Sequence, residues 1–282
     1  MVRKETHTIK HLIQLQDLIV ARAQQQASMP SARLQQLDKS VATLAGELPV
    51  ELKTHFNRLL QKNIEAIVPI TGGNCSGCGY ALTKTMVNSI HGGDELNRCP
   101  NCTRILYSPD VPLTRNSPRR RWGDPVKRGI ERFSSPELMI PSLKGTTKEE
   151  VLLEMCSNLR EHGYVESCDD LHDAALRREA IISTAVEHGI AFPHVRGVEG
   201  GGLTLTLGIS KKGIKFGADG DKLSKIFFYM VIPTAASAFY LKLLSGLTQS
   251  FSTKEARDAL LTAKTPEELW KVLAKATKKT IQ

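Results

Sequence analysis

At 282 residues, with 41% apolar and 24% charged side chains, the chain has ordinary globular composition and a length suited to about two domains, which excludes a fibrous or wholly disordered protein. Met1-Val2-Arg3-Lys4 runs into polar residues and not into an apolar signal core, and no stretch approaches the ~18 apolar residues of a membrane span, so a cytoplasmic protein is expected. The formal net charge of +9 is uneven, +4 over residues 1–106, +4 over 107–146 and +1 over the rest, so any attraction to nucleic acid or other anionic partners belongs to residues 1–146.

Ile9, Leu12, Ile13, Ile19, Val20 and Ala23 recur at helical spacing up to a break at Ser28-Met29-Pro30. Ser31 then offers an N-cap to a second helix, whose Leu34, Leu37, Val41, Leu44 and Leu48 repeat in steps of three and four, the seam of a short coiled coil that Pro49 ends. A third helix is expected from about Val50 to Ile67, with Leu52, Phe56, Leu59, Ile64 and Ile67 on one side and Pro69 closing the set. So few heptads leave two arrangements open for residues 1–70, a helical hairpin packed on itself or a dimer.

Residues 71–107 hold Cys75-Ser76-Gly77-Cys78 and, twenty residues on, Cys99-Pro100-Asn101-Cys102. Two residues between cysteines let both thiolates of a tight turn face one metal, and two such turns complete the tetrahedral shell of structural zinc, which a reducing compartment favours over disulfides. Gly77 and Gly79 let the backbone curl so that amides point at the sulfurs, and Tyr80–Val87 and Arg104–Tyr107 are expected to supply short strands. With the helices before it, this stretch resembles a four-cysteine zinc-ribbon family in which a coiled-coil hairpin carries a C-terminal ribbon. The resemblance implies zinc on Cys75, Cys78, Cys99 and Cys102. Thr103 stands where a ribbon commonly has glycine, and His91 in the spacer has no clear ligand role. Cys156 and Cys168 stand apart and read as packing residues.

Residues 108–146 carry prolines at 109, 112, 118, 125, 136 and 141 and a run of bases, Arg115, Arg119, Arg120, Arg121, Lys127, Arg128 and Arg132. The stretch reads as a linker that buries no core. It is either a solvated tether or a phosphate-binding arm in which Arg119, Arg120 and Arg121 meet nucleic acid and Trp122 stacks on a base.

From 147 to 282 helices and strands alternate. Thr146-Thr147-Lys148-Glu149-Glu150 has the form of a capped helix start, and a second helix, Asp170 to about Thr184, carries Arg178 and Glu179. Strands follow at Gly189–Phe192, Leu203–Ile209 and Ile226–Val231, the latter two apolar enough to be central. Three helices close the chain: Ala238–Phe251, Thr253–Ala263 and Pro266–Thr277. One mixed sheet with helices packed on it is the expected fold of this α/β part, in a multidomain chain whose N-terminal part is a helical hairpin or coiled coil with a zinc ribbon.

The strand Gly189-Ile190-Ala191-Phe192 runs straight into Pro193-His194. A strand that stops at proline presents the next side chain at the rim of a sheet, where open α/β sheets keep their chemistry, so His194 is the candidate nucleophile. An imidazole is a nucleophile when it is neutral, when one nitrogen is accessible and when the other is held by a hydrogen bond.

Arg178-Glu179, Ser183-Thr184 and Gly189-Ile190-Ala191-Phe192-Pro193-His194 stand in the order and spacing of the fructose/mannitol-type (type 2) enzyme IIA domains of the bacterial phosphotransferase system, which this half of the chain resembles. The resemblance implies that His194 accepts phosphate from the carrier protein HPr, that Arg178 stabilises the phosphoryl group and that Glu179 is structural. Three positions depart from the family pattern. Ala185-Val186-Glu187 replaces a Gly-Ile-Gly-type turn, Phe192 replaces isoleucine, and Tyr240 stands where many members place a second active-site histidine. Tyr240 can donate a hydrogen bond to a phosphoryl oxygen but is no neutral-pH base, so phosphate acceptance survives better than onward transfer. His188, before the strand, is a candidate assistant.

No IIB domain or membrane-spanning IIC is recognisable, so the reading is a phosphocarrier that serves a separate IIB or reports phosphorylation state, with zinc and no organic cofactor. The alternative is a zinc-ribbon adaptor for nucleic acid or protein, with a non-phosphorylated IIA fold as docking module.

Overall fold

Leu52, Phe56 and Leu59 recur every three or four residues, so one side of their helix is apolar and must be covered. In the computed structural model, which describes residues 2–28, 34–62, 65–92, 95–108, 127–181, 183–198, 203–217, 223–233 and 237–281, they are buried against Leu12, Leu15 and Leu48. Two compact units divide the chain, the first ending near residue 112.

The first unit opens with α1 (Val2–Ser28), α2 (Gln35–Gly46) and α3 (Val50–Lys62). Contacts of α1 with α2 run in opposite directions along the two helices: Arg22 pairs with Asp38, and His11 Nε2 bonds the Leu44 carbonyl at 3.0 Å. The helices therefore form an antiparallel hairpin within the chain, and the seam residues Leu37 and Leu48 are buried there. The third helix stops at Lys62, short of the Ile67 expected from its pattern. Ile67 opens β1 (Ile67–Thr71), where the run Ile67-Val68-Pro69-Ile70 answers to the extended preference of β-branched residues and proline and not to helical periodicity. β1 pairs antiparallel with β2 (Asn74–Cys75) and parallel with β4 (Ile105–Tyr107), which pairs antiparallel with β3 (Asn97–Arg98). Where strand was expected over Tyr80–Val87, α4 (Lys84–Gly92) begins instead, because the Thr83 hydroxyl accepts from the Met86 amide and caps it.

Gln16 of α1 joins helices to sheet. Its side-chain oxygen accepts from the Ala66 and Ile67 amides at 2.7 and 2.9 Å, and its nitrogen donates to the Ile67 carbonyl at 2.8 Å.

The second unit begins well before residue 147. Residues 127–146, expected as linker, bury Ile130, Leu138, Met139 and Leu143, and β5 (Met139–Ile140) adds in parallel to β9 (Thr204–Ile214). Leu205 N–H donates to Phe133 O, Ser134 Oγ to Leu205 O and Leu143 N–H to Ile209 O, each at 2.7 Å. Two short 3-10 turns have no periodicity to read, and their order comes from this distant strand.

Next come α5 (Lys148–Glu161), opened by a capping box of Thr147 and Glu150, and α6 (Cys168–Ile181), which ends before Thr184. Ala185-Val186, which stands where the family pattern has a Gly-Ile-Gly-type turn, is β6 (Ala185–Val186) and forms a tight hairpin with β7 (Ile190–Ala191). His188 and Gly189 make its turn at φ of +65° and +73°. β8 (His194–Val198) and β10 (Ser224–Pro233) follow, then α7 (Ser237–Ser250), α8 (Lys254–Thr262) and α9 (Pro266–Thr277).

β9 and β10 are antiparallel and buried almost throughout, β7 and β8 lie in turn along the other edge of β10, and the sheet is mixed, ordered β5-β9-β10-β7-β6 with β8 beside β10. Phe192 is buried and stacks on Phe228 at 5.4 Å, an apolar exchange the core accepts. Cys156 and Cys168 are buried, Cys156 donating to the Tyr229 hydroxyl. No helix among the described residues is long and apolar enough to cross a membrane.

Candidate active site and candidate metal centre

His194 is the first residue of β8 and not the residue after a strand, since it sits opposite Met230 of β10 while the Met230 amide donates to Pro193 O at 2.9 Å. Instead of standing open at a rim it is 2% exposed. Arg178, from the last turn of α6, lies against one nitrogen, and the Tyr240 ring of α7 covers the imidazole with centroids 5.2 Å apart.

Two contacts fix which nitrogen carries the proton. Arg178 Nε–H can only donate, and it points at His194 Nε2 from 3.0 Å, so Nε2 offers its lone pair. The Phe192 carbonyl can only accept, and it lies 3.0 Å from Nδ1, so Nδ1 bears the hydrogen. The Tyr240 hydroxyl is 3.3 Å from that same Nδ1. It therefore faces the side opposite Arg178, away from the nitrogen that keeps its lone pair. Burial pushes the His194 pKa well below 6.5, the charges of Arg178 and Arg196 push the same way, and only the Phe192 carbonyl opposes them. The ring is neutral at physiological pH. Burial likewise raises the Tyr240 pKa, so its hydroxyl keeps its proton.

The Glu179 carboxylate accepts from the Thr184 amide and hydroxyl at 2.7 Å each, which closes the end of α6 onto the turn before β6, and the Arg178 charge acts on it as well. Burial raises the Glu179 pKa against those bonds. His188 lies exposed in the β6–β7 turn, and the hydrogen bonds of the His194 ring run to Arg178, Phe192 and Tyr240. Sequence reading passed over Arg196, although strand alternation counted from His194 would have put both on one face.

In the first unit the four cysteines converge: Sγ atoms of Cys75, Cys78, Cys99 and Cys102 all lie within 4.8 Å of one another. Cys75 and Cys102 are 3.7 Å apart and Cys78 and Cys99 3.6 Å, far beyond a disulfide bond. Four thiolates at about 2.3 Å from one tetrahedral zinc ion stand about 3.8 Å apart, so the residues fit that ion. Amides of Gly77 and Cys78 bond the Cys75 sulfur, that of Tyr80 the Cys78 sulfur, and those of Asn101 and Cys102 the Cys99 sulfur. Burial raises the Cys75 and Cys99 thiols. Burial also works on Cys78, but the Tyr80 amide, the Asn101 side chain and the neighbouring thiols outweigh it and bring Cys78 down to about 6. Each turn closes alike, Gly79 N–H onto Cys75 O and Thr103 N–H onto Cys99 O at 2.7 and 2.9 Å. His91 bonds Ser108 and stands outside the cysteine group. Arg119, Arg120, Arg121 and Trp122 lie outside the described residues.

Residues 132–276, just over half of the chain, match the family model described as phosphoenolpyruvate-dependent sugar phosphotransferase system, EIIA 2. The chain belongs to this EIIA 2 family. Residues 74–106 match a C4-type zinc ribbon domain. Among relatives of the EIIA domain, the PTS system fructose-specific EIIA component of Haloferax volcanii is 32% identical over 128 residues, 45% of this chain and 83% of that one. A nitrogen regulatory protein of Bradyrhizobium diazoefficiens is 24% identical over 141 residues, 50% of this chain and 91% of that one. The crystal structure of nitrogen regulatory protein IIA-Ntr from Neisseria meningitidis aligns with a TM-score of 0.46 at 25% identity, over 50% of this chain and 96% of that one. Of the longer EIIABC relatives that it matches, the chain spans 20% of the length. Arg178, His194 and Tyr240 all fall within the EIIA 2 match.

Proposed function

We propose that His194 accepts a phosphoryl group on Nε2 from the phosphohistidine of HPr, and that the phosphorylated EIIA domain serves regulation, with a separate IIB as a route of discharge. The observation that carries this reading is the fixed tautomer: Arg178 on Nε2 and the Phe192 carbonyl on Nδ1 leave one lone pair, on a ring that burial keeps neutral. That lone pair attacks phosphorus as the P–N bond of the donor breaks, and the bonding electrons stay on the donor imidazole. His194 keeps its Nδ1 proton, held by Phe192, so the product is a phosphoimidazolium and no base is needed. Arg178 leaves Nε2 as the new bond forms and pairs with the phosphoryl oxygens.

The regulatory part of the reading draws on the nitrogen regulatory relative, which this chain matches over most of that protein's length. Charge of about −2 arriving beside Arg178 is the change such a device would report. In the first unit Cys75, Cys78, Cys99 and Cys102 would hold one zinc ion, which supplies a four-way cross-link; chelation should then melt the ribbon.

Incubation with enzyme I, HPr and labelled phosphoenolpyruvate tests the acceptor. Acid-labile, alkali-stable label is expected on the wild type and not on His194→Ala. Absence of label above that variant, with a competent HPr, would overturn the reading.

A further inference from the structure

His194 and Arg196 are two residues apart on β8, and a strand sends alternate side chains to one face. The alternation is undisturbed over that interval: His194, Val195 and Arg196 sit opposite Met230, Val231 and Ile232, and the register shifts only beyond Ile232. Val195, between them, turns into the core. The other face is the one from which Arg178 of α6 reaches His194. Arg196 is half-buried there, and its charge acts on both the His194 ring and the Tyr240 hydroxyl, as the charge of Arg178 does. Glu179, the carboxylate beside Arg178 in sequence, accepts from the Thr184 amide and hydroxyl.

We propose that Arg196 is a second phosphoryl-binding residue, which holds the group carried on His194 Nε2 together with Arg178. The proposal rests on the acceptor reading above. A phosphoryl group brings three equatorial oxygens and about two negative charges, and one guanidinium pairs with two oxygens at most, so a second cation has both an oxygen and a charge to meet. Arg178 occupies Nε2 before transfer and moves aside as the new bond forms.

Phosphoramidate, a small-molecule phosphoryl donor to histidine, tests this on the full chain without any carrier surface, followed by phosphorus NMR of the phosphohistidine. The imidazole nitrogen shifts of unphosphorylated His194 are read in parallel. Arg196→Gln is expected to lower the rate of label uptake by about tenfold or more, the size of a lost charge-assisted hydrogen bond, with Arg196→Lys between it and the wild type and the tautomer unchanged in both. Equal uptake in Arg196→Gln and wild type would overturn the Arg196 assignment and leave the acceptor reading standing. Slower uptake with a changed tautomer would also overturn it, by showing that Arg196 acts through the ring. A wild type as inert as His194→Ala would overturn both.

Discussion

Gly79 and Thr103 occupy the same place in the two cysteine turns, each donating its amide to the carbonyl of the first cysteine, and both have left-handed backbone, at φ of +75° and +60°. Glycine adopts that conformation without cost, whereas a β-branched residue is strained by roughly 1–2 kcal/mol. Replacement Thr103→Gly keeps the two backbone bonds made there, to Cys99 and from His55. It should stabilise the zinc-loaded protein by about 1 kcal/mol in thermal melts, with Gly79→Ala shifting them the other way. A less stable Thr103→Gly would mean that the threonine side chain supplies more than its backbone costs.

Gln16 meets the chain at the junction of helix and ribbon through three short bonds. Gln16→Leu fits the same volume but strands two amides and a carbonyl in a buried place. The expected loss is about 3 kcal/mol, read as the urea midpoint of the first unit's transition. A loss below about 1 kcal/mol would show that water replaces the side chain.

Folding should depend on pH through His194. Its folded pKa lies well below 6.5, so below pH 6.5 the unfolded chain takes up a proton that the folded chain refuses, and stability falls as pH drops toward the folded value. The slope is roughly 1 kcal/mol per pH unit. His194→Gln should remove it, as measured by urea melts between pH 7.5 and 5. Glu179, shifted upward by burial, is present in both proteins and cancels in the difference. Parallel curves for the two would place the protonation elsewhere.

Arg178 both reads the lone pair on Nε2 and brings its guanidinium to it at 3.0 Å. Lysine restores the charge but not the fork that spans two oxygens. Phosphate uptake from phospho-HPr should fall by about a hundredfold in Arg178→Gln and recover only in part in Arg178→Lys. Full recovery would reduce its part to charge alone.

Tyr240 lies on the Nδ1 side of the ring, where the Phe192 carbonyl already takes the proton. Tyr240→Phe should therefore keep label uptake within about tenfold and cost about 1 kcal/mol of stability. Uptake lost as deeply as in Arg178→Gln would mean that the hydroxyl reaches the transferring group.

Much of this protein is local, and the local part was legible. Thr147 with Glu150, and Pro266 at the first position of its helix, announce their helices because such starts are made by neighbours in sequence. Two Cys-x-x-Cys pairs announce a four-sulfur cluster because each turn needs only its own residues to close. The order of Arg178, Glu179 and His194 likewise marked the candidate site before any contact was known.

What remained hidden depends on partners far along the chain. Ile67 is a strand residue because Ile105 lies beside it, and residues 127–146 are ordered because β9 accepts them along its edge. The sequence alone determined that a histidine follows Phe192-Pro193 and that arginine precedes it by sixteen residues. Only the tertiary structure decided that His194 is buried, that its proton sits on Nδ1, and that Tyr240 stands on the far side from Arg178. Protonation and access follow from where dipoles and charges lie around the ring, and three separate elements, α6, β8 and α7, must pack before those positions exist.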